Sequence, residues 1–157
     1  FESMGGIAYI FISHKDDIGN SAQYAKHFGA KRIINKYDIK PSIADAEIIL
    51  DGQEDLILDK AQIIHTPGHT KGSQVLLWDS KYLFTGDHYA YRRKINAFGS
   101  FDTACWYSWK EQILSVEKMK KFRDVEFIYP GHGRRGQIPK GEFPTKIKKS
   151  LQWMRSV

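Results

Sequence analysis

Residues 65–73 read HTPGHTKGS, flanked by AQIIH ending at His65 and by QVLLW beginning at Gln74. Both flanks are short β-prone runs, so the two histidines, the proline and the two glycines occupy a strand-to-strand loop. LFTGDH at 83–88 and YPGHG at 129–133 repeat this composition, each running from an apolar strand into glycine beside a metal-capable side chain. A fourth instance lies upstream, where IAYIFI (7–12) leads into Ser13-His14. A loop that turns its imidazole back toward a sheet edge needs positive φ, which glycine adopts at little cost, and Pro67 fixes the angle of entry.

Working outward, IAYIFI is expected as a buried strand. A helix over Ile18–Phe28 follows, with Ala22, Ala25 and Phe28 at helical spacing and Gly29 as its stop. Lys31–Asn35 is a second strand, and strand, helix, strand favours a parallel pair. Ala46–Leu50, Leu56–Leu58, Ala61–His65, Gln74–Trp78 and Tyr82–Thr85 read as a meandering sheet, with turns at Asp51-Gly52 and Asp79-Ser80. Apolar residues at Trp106, Trp109, Ile113, Val116 and Phe122 predict an amphipathic helix over 106–122, with lysines on its other face. Glu126–Tyr129 is a further buried strand, and a last helix from Pro144 carries Ile147, Leu151 and Met154 on one face. With no repeat, low-complexity tract or linker, residues 1–157 are expected to form one α/β domain.

The chain has 157 residues, 41% of them hydrophobic, and a net charge of +6. That length suits a single core without disulfides or a structural metal. Cys105 is the sole cysteine, which excludes an intramolecular disulfide and a cysteine-built zinc cluster. A reducing compartment, cytoplasm or organelle stroma, is the expectation. No run of about 18 apolar residues and no signal-peptide pattern is present, so no membrane partner is expected. The lysines are scattered over helices without an aromatic-interleaved basic stripe, which argues against nucleic acid. No glycine-rich phosphate loop and no serine nucleophile elbow is visible.

The convergence of these loops carries the functional reading. Loops beyond strand ends gather at one sheet edge, where α/β proteins place ligand sites. His14, His69, Asp87 and His132 meeting there form a metal site by composition, because imidazole suits zinc, iron or manganese and a carboxylate can bridge ions. His88 should point away from Asp87 on an extended stretch, to a supporting or surface role. His65 and His27 are expected to be structural, and core packing is the preferred reading of Trp106, Tyr107 and Trp109.

These fragments resemble the metallo-β-lactamase fold hydrolases, which include glyoxalase II, ribonuclease Z and persulfide dioxygenases. TPGHTKGS looks like that family's TPGHTxGS segment, LFTGDH its segment with the bridging aspartate, and YPGHG its segment with the final histidine. The resemblance implies an αββα sandwich with a metal centre between the sheet edges, and His69, Asp87 and His132 as ligands.

The chain departs from the family at its opening motif, THxHxDH. FISHKDDIGN (11–20) has one histidine where the motif has three. Either Ser13-His14 matches the first pair and Asp16 replaces the second histidine, or His14 is itself the second histidine and Asp17 the last. A plant and cyanobacterial subgroup looks like THRDDVADH here, and similarity to it continues through YAKHFGAKRII, GDHYAY and GHGRR. In either register His14 and Asp16 lie near the centre and a usual ligand is missing.

The expected site is therefore one divalent ion, zinc foremost and iron or manganese as alternatives, held by His14, Asp16, His69, Asp87 and His132. A second ion would be weakly held. Asp16 or Asp17 would orient water or take its proton. Arg134 and Arg135 would receive an anionic group at the rim. The expected function is hydrolysis of a small anionic ester or thioester by metal-activated water; the alternative is a degenerate member that binds a ligand or partner without turnover. Family members carry a strand-rich segment before the first motif, so the sandwich is expected to lack N-terminal strands or to belong to a longer chain. An open sheet edge would then invite a homodimer.

Overall fold

The computed structural model describes residues 1–52 and 56–157. Its first sheet has three parallel strands in the order β1 (Tyr9–Phe11), β2 (Lys31–Asn35), β3 (Ile48–Leu50). Helix α1 (Ser21–Phe28) makes the crossover that a parallel β1–β2 pair requires. It ends where Gly29 takes the left-handed conformation at φ 66°.

The second sheet is mixed and six-stranded. Its order is β11 (Gly136–Gln137), β10 (Phe127–Pro130), β7 (Tyr82–Gly86), β6 (Gln74–Trp78), β5 (Ala61–His65), β4 (Leu56–Leu58). Strands β4 to β7 form the expected antiparallel meander, while β10 returns parallel to β7. One face alternates Ile64, Val75, Leu77, Leu83 and Ile128 into the main core, against helices α2 (Trp109–Met119) and α3 (Phe143–Met154). The opposite face meets the first sheet across an apolar cleft between Tyr9, Phe11 and Ile33 on one side and Ala61, Ile63 and Leu76 on the other. The layers therefore run helix, sheet, sheet, helix, as the αββα expectation has it.

Two expectations need correction, and one element is added. The first strand is the edge of its sheet rather than a buried strand, and Tyr9 is 47% exposed. Helix α2 starts at Trp109 instead of Trp106, because Ser108 accepts the Glu111 N–H as N-cap. A hairpin of β8 (Ala90–Arg92) and β9 (Ala97–Gly99), not foreseen from the sequence, turns at Asn96 in the left-handed region. No helix is long and apolar enough to cross a membrane among the described residues.

Candidate metal centre

The four loops come from two sheets whose strand ends abut. His14 follows β1, His69 lies between β5 and β6, Asp87 follows β7, and His132 follows β10. The sheets are tied at this edge by Gln74, whose backbone N–H donates to the Ser13 carbonyl and whose side-chain amide donates to the Ile12 carbonyl.

His14 is 1% exposed, and its Nε2 is buried with no hydrogen-bond partner among the described residues. Leaving such a nitrogen unpaired is costly. It faces Asp87 Oδ2 at 3.7 Å, as does His69 Nε2 at 3.8 Å. The other nitrogen of each ring is held from behind. His69 Nδ1 donates to the Ala104 carbonyl at 2.6 Å, which fixes the tautomer and leaves the Nε2 lone pair inward. His14 Nδ1 is 3.0 Å from the Ser13 hydroxyl. Ligand atoms around a tetrahedral zinc lie about 3.3 to 3.4 Å apart, so the trio His14, His69 and Asp87 fits an ion. Asp16 Oδ2, 3.9 Å from His69 Nε2, stands at the open side of that trio.

A second trio, Asp17, Asp87 and His132, shares Asp87 with the first. Asp17 Oδ2 is 3.7 Å from both His14 Nε2 and His132 Nδ1. His132 Nδ1 donates to Asp87 Oδ1 at 2.8 Å, and the His132 backbone N–H donates to the same oxygen. This half is open, with the His132 side chain 68% exposed. The electrostatics differ accordingly. Burial, then the neighbouring His69, lowers the His14 pKa and keeps its imidazole neutral; the hydrogen bond to Asp87 raises that of His132. An ion in the inner trio would displace no proton from His14, whereas one in the outer trio competes with the proton on His132.

All five expected ligands thus meet at one place, with Asp17 beside them. Asp38 was missed. It is fully buried; one oxygen accepts from the Lys15 N–H and the Thr70 hydroxyl, and the other from the Gly72 N–H, so it clamps the His14 loop to the His69 loop. Nothing in its neighbourhood, NKYDIK, signals this from sequence.

His88 is buried, not at the surface. Its Nδ1 accepts from Gln112 on α2, and burial, with His69 a lesser influence, pushes its pKa down to about 3. His65 donates to the Lys71 carbonyl and His27 reaches Glu2, both structural contacts. Trp109 packs against the main core as expected. Trp106 and Tyr107 do not, being 69% and 48% exposed beside His69. Arg134 and Arg135 are exposed just past His132, and Arg134 is bridged to Tyr91 of β8.

A B3 metallo-β-lactamase, BLEG-1, superposes on 92% of this chain and 79% of its own, with a TM-score of 0.68 at 18% identity. The chain has the metallo-β-lactamase fold. An archaeal metallo-β-lactamase superfamily protein, ST1585 from Sulfolobus tokodaii, matches all of the chain and 83% of its own length (TM-score 0.63, 17% identity). The di-iron-bound form of TTHA1623 matches 87% of this chain and 76% of its own (TM-score 0.61, 19% identity). In sequence, 121 residues are 31% identical to the "Probable metallo-hydrolase MJ0888" of Methanocaldococcus jannaschii, covering 75% of this chain. The chain spans about half of that relative, 52%. No protein-family model matches the chain.

Proposed function

We propose that this metallo-β-lactamase-fold chain is a metal-dependent hydrolase acting on a small anionic ester or thioester. The observation that carries the proposal is the buried, unpartnered Nε2 of His14, aimed with His69 at one oxygen of Asp87. An ion held by these residues supplies Lewis acidity, lowering the pKa of water toward about 7 and polarising a carbonyl.

The remaining work belongs to side chains of this chain. Asp16 and Asp17, about half exposed on the open side, orient the attacking water and accept its proton. Arg134 and Arg135 draw the substrate's anionic group to the rim. Zinc suits the inner trio with its two imidazoles. The outer trio has two carboxylates and one exposed histidine, which supports a weaker second ion. The approach of Asp16 to His69 favours the register in which Ser13-His14 opens the motif and Asp16 replaces a histidine, as in the plant and cyanobacterial subgroup; a reducing cellular compartment fits the same reading.

Metal content by elemental mass spectrometry, on protein purified without chelators, tests this. About one tightly held ion per chain is expected, lost in His69→Ala, with a second appearing only at raised metal concentration and lost in Asp17→Ala. No ion after incubation with zinc, iron or manganese would sink the hydrolase and leave a ligand-binding protein on the same scaffold.

A further inference from the structure

The centre is flanked by two surfaces of opposite chemistry. On the His69 side stand Trp106 and Tyr107. Their segment is pinned to the metal loop: the Trp106 N–H donates to the His69 carbonyl, and the Tyr107 and Ser108 N–H groups donate to the Gly68 carbonyl. The Cys105 thiol also donates to that carbonyl. A backbone held this firmly presents a tryptophan 69% exposed, with its ring centroid 6.4 Å from that of His69. Such a side chain contributes little to the core. Large, rigid and amphipathic, it is suited to binding a ligand at low entropic cost.

On the His132 side lies a cleft lined by Tyr91, Arg93, Lys94, Phe101 and Arg134. The bridge between Tyr91 and Arg134 brings the β8–β9 turn against the loop that carries His132. Arg92, whose base lies in the same cleft, is already committed: it pairs with Asp102 at 2.9 Å and donates to the Ser100 carbonyl. Arg93, Lys94 and Arg134 are exposed and have no ion pair within 4 Å among the described residues, Lys94 reaching Asp102 only at longer range, so the cleft is positively charged beside the carboxylates of the centre.

We infer that the substrate is bipolar, with an aromatic or bulky apolar group resting on Trp106 and Tyr107, a carboxylate or phosphate held by Arg93, Lys94 and Arg134, and the scissile bond between them. This rests on the hydrolase reading and narrows its substrate class. A fully polar small ester leaves the tryptophan unused, and a neutral lipid ester leaves the cations unused.

Isothermal titration calorimetry on the metal-loaded chain tests it with biphenyl-4-carboxylate and its neutral counterpart biphenyl-4-methanol. The carboxylate is expected to bind at least about tenfold more tightly, a preference worth roughly 1.4 kcal/mol. Lys94→Ala with Arg134→Ala should remove most of that preference without changing the affinity for the alcohol, and a lysine in place of the native arginine (Arg134→Lys) beside Lys94→Ala should keep part of it. Trp106→Ala should weaken both ligands by a similar factor. A preference that survives the double variant but disappears in His69→Ala places the anion on the metal and overturns the inference, as does failure of either ligand to bind at millimolar concentration. Loss of preference in the double variant of a chain that holds no metal would keep the bipolar site and discard the hydrolase; normal metal content with no charge dependence would do the reverse.

Discussion

Asp38 touches no expected substrate or metal position, yet three donors from the two loops that carry His14 and His69 end on its carboxylate. Asp38→Asn replaces an acceptor oxygen with an NH2 facing N–H or O–H donors. The expected cost is about 1–3 kcal/mol of stability and roughly tenfold in metal affinity, the usual scale for groups that orient ligands from behind. Thermal denaturation and a competitive metal titration read the two effects separately. Gly86 shows a different dependence. It sits at φ 49°, and a Cβ there would lie 2.5 Å from the Ser13 hydroxyl, the group that holds His14 Nδ1. Gly86→Ala should therefore lower the affinity of the inner site while Gly141→Ala, at a positive φ but with nothing within 4 Å, costs only backbone strain. Equal metal affinities in the two variants would show that Ser13 does not transmit the displacement. The candidate ligands His69, Asp87 and His132 were legible because histidine or aspartate beside glycine after an apolar run is a local pattern; Asp38 was not, since its partners lie 23 to 34 residues away in sequence.

Among the elements, the strand β2 is anchored by an ion cluster within the first sheet. Arg32 is 3% exposed; its guanidinium donates twice to Glu47, and to both the carboxylate and the carbonyl of Asp45. The hydrogen bonds from Arg32 hold the Glu47 carboxyl down at about 2. A depressed carboxylate stabilises the fold above its unfolded pKa of about 4.3, and the contribution is lost as pH falls through the folded value near 2. Glu47→Gln should cost about 2 kcal/mol at pH 7, reduced by the partial exposure of Glu47, and the gap from the parent protein should close progressively between those two pKa values. Melting temperatures at pH 7, 4 and 2 test the slope; a constant gap would mean that shape, not charge, carries the contribution. Element boundaries show where sequence periodicity stops being informative. Strands β2, β4, β5 and β6 match their expected limits because turn residues bracket each one. The helix expectation ran to Trp106 because Trp106 and Trp109 share helical spacing, although Ser108, an N-cap residue, was there to read. The β8–β9 hairpin escaped because Arg92, Arg93 and Lys94 interrupt its alternation and its turn rests on a single left-handed Asn96.

At the scale of the molecule, three strands face six. The Gln74–Ser13 bond places β1 beside β6, so the first sheet covers β4, β5 and β6 and leaves β7, β10 and β11 bare on their inner face. That bare face carries Phe84 stacked on Tyr129 and Tyr82 stacked on Phe127, next to Trp78; Phe84 and Trp78 are about 40% exposed. Contiguous aromatic surface of this kind marks an interface. Pairing two copies edge to edge through β1 would set both six-stranded sheets on the same side of the joined strands, where they collide. A two-fold that stacks bare face on bare face avoids this, since each sheet then fills the space beside the other copy's β1. The contact is isologous and self-closing. The chain is therefore expected to form dimers by this face, detected by light scattering across a concentration series, and Trp78→Lys with Phe84→Lys should return monomers, with metal content read alongside because Phe84 stacks on Tyr129 at the start of the His132 loop. A monomer at every concentration, with the bare face binding an apolar dye, would remove the dimer and leave the face open to strands added from elsewhere.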